Sequence, residues 1–334
     1  MDNEIIVSII IPIYNAEKHL RQCLDSIFIE QNRTEMIEVI AVNDASTDRS
    51  LDILKQYEKY NVIIINNSGN GGTSFSRNIG IKAAKGKYIL FMDNDDFYLP
   101  GALDNIIQNL VKSKIDIFQF DYMNYDEQTE QFSKNKHKNI TNIGENSGQN
   151  SFVLWCRNGL YSPFVWIKAV SREMILKNSI YFLEGGCHED EEWSPRIFAF
   201  AHSAKLIPVC AYVYRVNQTT SIMSKYTSKH CHDLLKVIES LEHFSERNIT
   251  TAEYLIEFRR LLAFLYFYAI DKIKVSGSYD AYAVKFLYNK LYLLKYSNKI
   301  KRRTLYYFLI NYIGIINFYR IKYGMRDIYR SVVN

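Results

Sequence analysis

The chain has 334 residues, 48% hydrophobic and 23% charged, with a formal net charge of +5. That is an ordinary globular balance, enough for a large core or two domains. Five scattered cysteines (Cys23, Cys156, Cys187, Cys210 and Cys231) form no Cys-x-x-Cys pair, which excludes a thiolate metal site of that spacing and predicts reduced core thiols in a cytosolic compartment.

The first 110 residues alternate in type. "VSIIIPIY", from Val7 to Tyr14, is a continuous apolar, β-branched run and predicts a strand buried on both faces. "NAEKHLRQCLDSIF" comes next at helical spacing, with Asn15 as its expected cap. "VIAV" (Val39 to Val42) predicts a second strand, and "NDASTDRSLDILKQY" a second helix capped by Ser46 or Asp44. "VIIIN" (Val62 to Asn66) is a third strand. "SGNGGTSFSRNIGIKAAKG" is a glycine-rich turn feeding a helix that Gly86 stops. "YILFM" (Tyr88 to Met92) is a fourth strand, followed by Asp93, Asn94, Asp95 and Asp96, then by the amphipathic "LPGALDNIIQNLV". This alternation predicts an α/β domain with a mainly parallel sheet, whose ligands bind beyond the carboxyl ends of the strands.

Residues 121–150 are polar and predict a loop or an exposed hairpin. Shorter elements come after it, ending in the strand-like "LIPVCAYVYRV"; beyond Lys225 the pattern is helical. The expected division is a catalytic domain over 1–222 and a C-terminal helical region over 223–334, associated with a membrane or an oligomer. No signal peptide and no run of about 20 apolar residues is visible, so a spanning helix is not expected.

Three stretches carry chemistry. In "FMDNDDFYLP" three carboxylates crowd the end of a buried strand. Two such charges ~4 Å apart repel by ~4 kcal/mol at an effective dielectric of 20, which asks for a cation. An Asp-x-Asp pair there suits Mg²⁺ or Mn²⁺, which take few protein oxygens and complete their shell with phosphate and water. An EF-hand is excluded, because Tyr98 stands where that loop needs Gly and Asp104 where it needs Glu. A haloacid-dehalogenase-type phosphatase stays open, although Phe97 stands where that family has Thr or Val. A solvated turn is the plain alternative, with Asp96 capping the next segment. In "NSGNGGTSFSRNIG" the glycines suit close approach to a phosphate or sugar, and Arg77 suits a carboxylate or a phosphate. "HEDEEW" gathers His188, Glu189, Asp190, Glu191 and Glu192. The helix dipole accounts for Glu191 and Glu192, and crowding raises the pKa of the other carboxylates, marking a candidate general base.

Taken together and in order, "VSIIIPIYNAEKHL", "IEVIAVNDASTDRSLDIL", "NGGTSFSRNIGIKAAKGKYILFMDNDDFYLPGAL" and "HEDEEW" resemble the family 2 nucleotide-sugar glycosyltransferases, which have the GT-A fold. The resemblance covers about residues 5–222. It implies that Pro12, Tyr14, Glu17, Asp44, Arg77, Asp93 and Asn94 line the donor site, with Asp44 on the base and Asp93 on the ribose or metal shell. It implies Asp95, with Asp93, as ligands of Mn²⁺ or Mg²⁺, and Asp190 beside Glu189 as the catalytic base of an inverting transfer from a UDP-sugar. Ser76 and His188 depart from the family's Ala and Gly at their positions. "VWIKAV" places Trp166 and Lys168, with His188, toward the acceptor; a core role for Trp166 is the alternative. "YVYRVNQTTSIMS" places Arg215 and Ser221 near the diphosphate on a mobile loop, and His230 is a further metal candidate. The same resemblance implies a saccharide or lipid-linked saccharide acceptor and bacterial surface polysaccharide assembly. A catalytically inactive nucleotide-sugar-binding protein is the rival reading.

From Lys295 onward nine Lys/Arg stand against one acid, Asp327, around an apolar, Tyr-rich stretch. This suits an interfacial helix at the inner face of the cell membrane, a core helix or a homodimer surface, and fits nucleic acid poorly.

Overall fold

The computed structural model describes residues 4–134, 144–217, 227–278 and 280–297. Ser221, part of the polar 121–150 segment and the basic C-terminal tail from residue 298 lie outside them. The chain divides into a unit of residues 1–185 and 189–221 and a second unit of residues 186–188 and 222–334.

The first unit is built on β1 (Val7–Ile13), β2 (Ile37–Asn43), β3 (Val62–Asn66) and β4 (Tyr88–Phe91), joined by α1 (Leu20–Phe28), α2 (Ser50–Lys55) and α3 (Thr73–Ala83). These strands run parallel in the order β3-β2-β1-β4. Every residue of β1, β2 and β4 is buried, because helices cover both faces. The period of two decides which neighbour each side chain meets. Ile9, Ile11 and Ile13 join Leu20, Leu24 and Ile27 of α1 in one core cluster. Ile10 points the other way, toward α3, and a Cβ on Gly80 would lie 2.3 Å from its Cγ2. Gly80 is thus the close-approach point of α3 on the sheet.

After β4 come β5 (Phe97–Tyr98), α4 (Ala102–Val111), β6 (Ile117–Asp126), β7 (Gln131–Lys134), α5 (Gly148–Asn158), β8 (Lys168–Ser171), α6 (Arg172–Lys177), α7 (Glu189–Phe200) and β9 (Ala204–Val216). The sheet continues from β4 through antiparallel β8 to β6 and β9, with β5 antiparallel on β9 and β7 on β6. The order reverses at β1, flanked by β2 on one side and β4 on the other. That switch point opens a crevice at the carboxyl ends.

Two expected helix caps are not made. α1 starts at Leu20 after His19, and α2 at Ser50 after Arg49, neither with a side-chain cap. Asn15 turns back at φ +49°, and its side-chain oxygen accepts from Thr47 N–H at 2.8 Å, while Ser46 Oγ accepts from Asn15 N–H at 3.1 Å. The loops after β1 and β2 bond each other, and these long-range partners displace the local caps. The thiols also differ from expectation: Cys23 and Cys231 are buried, but Cys210 is exposed.

The second unit holds α8 (Ser228–Asn248), α9 (Ala252–Ser276), α10 (Ala281–Asn289) and a 3-10 turn over Leu291–Tyr296. Leu234, Leu235, Ile238 and Leu241 of α8 and Phe258, Leu262 and Leu265 of α9 are buried, and α8 and α9 pack together.

Candidate functional site

Arg77 is the centre of the site. It lies on the second turn of α3, with 3% of its side chain exposed. Its Nη1 donates to Asp190 Oδ1 at 2.8 Å and Glu189 Oε1 at 3.1 Å, and its Nη2 to Asp93 Oδ1 at 2.9 Å. The guanidinium rests over the rings of Phe91 and Phe182, 5.8 and 5.3 Å from their centroids. Burial alone would make it easier to deprotonate, but Asp190, Asp93 and Glu189 outweigh that and hold the proton more tightly. The two acidic stretches, almost 100 residues apart in sequence, therefore share one cation. Asn78, next on α3, bonds Phe182 O, Phe182 N–H and Glu184, which pins the segment ahead of α7.

Asp190 occupies the first turn of α7 beside Glu189, Glu191 and Glu192, where the helix dipole favours negative charge. Its Oδ2 accepts from Val165 N–H at 3.3 Å, and 17% of its side chain remains open. Burial raises its pKa to about 7, with Arg77 opposing the rise and Glu189, Asp93 and Glu191 adding to it. Burial likewise raises Glu191 to about 7. Glu192 is buried and pairs with Arg196, one turn on, at 2.7 Å.

The Asp93–Asp96 turn is divided among partners. Asp93 goes to Arg77. Asn94 Nδ2 donates to Pro12 O at 2.8 Å, bridging β4 to β1 across the switch point. Asp96 is not the cap of the next segment that its position in the sequence suggests. It is 1% exposed and accepts from Tyr212 O–H at 2.8 Å and Arg215 N–H at 2.7 Å. Burial, then Asp95 and Asp93, push its pKa well up. The Tyr212 oxygen in turn accepts from Asp93 N–H at 3.0 Å, so one phenol ties both ends of the turn. Among the described residues no group of three or more His, Cys, Asp or Glu is arranged to hold a metal ion. The donors at the turn are all hard carboxylate oxygens, and Mg²⁺ or Mn²⁺ needs only one or two of these when phosphate oxygens complete the shell. The residues present fit such an ion.

Arg215 is not on a mobile loop: it is the penultimate residue of β9 and 5% exposed. Its Nε donates to Asp95 O at 2.8 Å and its Nη2 to Gln22 Oε1 at 2.6 Å, and the guanidinium lies against Phe97 and Tyr125. It braces the acidic turn from below. Asp44, 3% exposed, accepts from Asn67 Nδ2 and from the N–H groups of Gly71 and Gly72 at 2.7 to 2.9 Å. In this state its carboxylate shapes the glycine turn, where Gly72 has φ +86°, a conformation that suits glycine. Glu17 is exposed and pairs with Arg49 at 3.1 Å, and Tyr14 is 49% exposed at the end of β1.

The three acceptor candidates, Trp166, Lys168 and His188, are all buried. Trp166 is 3% exposed and stacked between neighbours, with Phe164 at 4.7 Å and Tyr212 at 4.5 Å. It is a core ring. Lys168 is fully enclosed. His188 belongs to the second unit, where it is buried edge-on to Tyr268, and burial lowers its pKa to about 4. The open aromatic beside this stack is Tyr214, 39% exposed with its ring parallel to Trp166 at 5.5 Å. His230 caps α8 through Thr227. Tyr212, Asn78 and Val165 N–H were not legible as site groups, since nothing in a strand tyrosine, an asparagine or a backbone amide marks it from sequence.

The model of the family described as "Glycosyl transferase family 2" matches residues 8–167. The "Putative glycosyltransferase EpsH" of Bacillus subtilis is 30% identical over 256 residues, 74% of this chain and 71% of its own. A poly(ribitol-phosphate) beta-glucosyltransferase of Bacillus spizizenii is 50% identical over 100 residues, 29% of this chain and 16% of its own. Among solved structures, S. aureus TarS 1-349 in complex with UDP-GlcNAc aligns with a TM-score of 0.66 at 19% identity, over 87% of this chain and 81% of that one. The fold is the GT-A fold, the motifs, the family model and the relatives agree, and the chain belongs to glycosyl transferase family 2.

Proposed function

We propose that this glycosyltransferase moves a sugar from a UDP-linked donor to an acceptor hydroxyl, with inversion at the anomeric carbon. The observation that carries the reading is Asp190: part-open, fixed through Oδ1 by Arg77, and raised by burial to about 7. A carboxylate of that pKa takes an acceptor proton efficiently near neutral pH. Arg77 orients it and shares its charge with Asp93, which lies at the switch-point crevice. Asp95, with Asp93, would hold Mn²⁺ or Mg²⁺. Such an ion, when bound, supplies Lewis-acid neutralisation of the departing diphosphate. Pro12, Tyr14 and Glu17 on β1 and the loop after it lie at the same crevice and suit the nucleotide.

A UDP donor is supported by the UDP-GlcNAc complex of the structurally similar TarS, and a surface-polymer acceptor by the poly(ribitol-phosphate) relative. A lipid-linked saccharide is the other acceptor of the same chemistry. No helix among the described residues is long and apolar enough to cross a membrane. We place the protein in the cytoplasm, at the inner membrane face through its basic tail. Liposome co-sedimentation of the full chain with anionic vesicles should show binding that high salt weakens.

The central test measures UDP release from UDP-GlcNAc and UDP-glucose with and without Mn²⁺. Asp190→Asn should keep donor binding, read as a donor-dependent rise in melting temperature, and lose turnover by about 10³-fold or more. Wild-type turnover by that variant would remove the base assignment. Donor binding with no turnover under any condition in the unmodified chain would favour the inactive binding protein.

A further inference from the structure

Lys168 is the first residue of β8, enclosed completely in the first unit. A buried lysine needs partners, since an unpaired ammonium in an apolar interior is strongly disfavoured. Its Nζ donates to Ser162 O at 2.7 Å and to Phe164 O at 2.6 Å. Between these two carbonyls, Pro163 O accepts from Ser194 Oγ. Ser194 stands on α7 one turn beyond Asp190. Three successive carbonyls, 162 to 164, are therefore anchored, two by Lys168 and one by the helix of the base. The next peptide N–H in the chain is that of Val165, and it donates to Asp190 Oδ2 at 3.3 Å.

We infer that Lys168 is a positioning residue for the base: it clamps the 162–164 turn so that Val165 N–H meets Asp190 Oδ2 while Arg77 holds Oδ1. The inference rests on the assignment of Asp190 as base. Lys168 is fully enclosed and acts only through the turn. The arrangement leaves Asp190 fixed at both oxygens with 17% of its side chain open. Lys168 also brings a positive charge near Asp190. Burial lowers the Lys168 pKa to about 7, against the opposing pull of Asp190. A neutral amine has two N–H groups, enough for both carbonyls, so the clamp holds in either protonation state. The titratable and charged groups facing Asp190 are Arg77 from α3, Asp93 after β4, Glu189 and Glu191 from α7, Lys168 from β8 and Tyr214 from β9.

The test compares Lys168→Met and Val165→Pro with wild type, in the full chain, by UDP release from UDP-GlcNAc across pH 5 to 9. Val165→Pro removes the same amide without touching Lys168. Val165 opens a short 3-10 turn, and Phe164 before it has ψ 124°, a conformation that precedes proline readily. Both variants should lower kcat about ten- to a hundredfold below pH 7, leave the donor-dependent melting shift unchanged, and move the acid limb upward by about one pH unit, because each loses a group that favours ionised Asp190. A merely structural role would lower melting temperature without moving that limb. Either variant, folded and binding donor, with a wild-type acid limb overturns the inference. Asp190→Asn run in parallel separates the two failures. If it is inactive while either variant keeps the wild-type limb, only the role of Lys168 fails. If it turns over normally, the base assignment fails and takes this inference with it.

Discussion

Asp96 and Asp190 are both carboxylates that burial pushes upward, yet they sit in opposite settings. Asp96 is sealed, 1% exposed, with both oxygens occupied by Tyr212 and Arg215 of β9. Asp190 keeps 17% of its side chain open and is held by partners on two different elements. A raised pKa alone therefore does not mark a base. Access to a proton donor is needed as well, and the comparison sets one acid sealed as a strut of the turn against another left part-open, which suits the proposed role of base.

Arg77→Met is the largest way to break the comparison, because Asp93, Glu189 and Asp190 would all lose their shared cation. Removing one partner of a buried ionic group costs about 3–5 kcal/mol, so denaturant titration should show a loss of that order together with loss of UDP release. Asp96→Asn comes second. An amide supplies only one acceptor oxygen where Tyr212 O–H and Arg215 N–H need two, and the expected loss is about 1–3 kcal/mol. Asp190→Asn should lose less stability than Asp96→Asn and more activity. The reverse order in the two assays would overturn the division between strut and base.

A pH series sharpens the same contrast. Asp190 and Glu191 have folded pKa values of about 7, above their unfolded values of 3.8 and 4.5. The folded chain binds these protons more tightly, so the stability they contribute is complete below pH ~4 and is lost as pH rises through about 7. Activity should move the other way, because the base must be ionised. Between pH 5 and 7 turnover should rise while the stability gap between wild type and Asp190→Asn shifts against wild type. Parallel rises in both would contradict the assignment. The smallest effect is expected at Glu17. Its pair with Arg49 is exposed at 40% and 80%, so Glu17→Ala should change stability by less than about 1 kcal/mol, and a donor melting shift measured on it reports on the nucleotide side alone.

Much of the first unit was legible because its signals are local. The uninterrupted apolar runs at Val7, Val39 and Tyr88 mark strands covered on both faces, and the helices between them mark parallel crossovers. The glycine turn before Arg77 and the acids after β4 stand at strand ends, where ligands bind in such sheets. The burial of Trp166, Lys168 and Arg215 was not legible, for one shared reason. Their residue types suit ligands, but burial is a property of the packed sheet, and all three are 5% exposed or less.

The sequence by itself determined the alternating α/β order, the family and the short list of carboxylates, because periodicity and motif spacing need only neighbours along the chain. Tertiary structure alone decided how those carboxylates divide their work. Arg77 reaches Asp190 across 113 positions, Asp93 N–H reaches Tyr212 across 119, and Lys168 reaches Asp190 only through a turn. Such contacts are set by which strands lie side by side, and that adjacency, with the solvent access it leaves, exists only once the sheet has closed around the site.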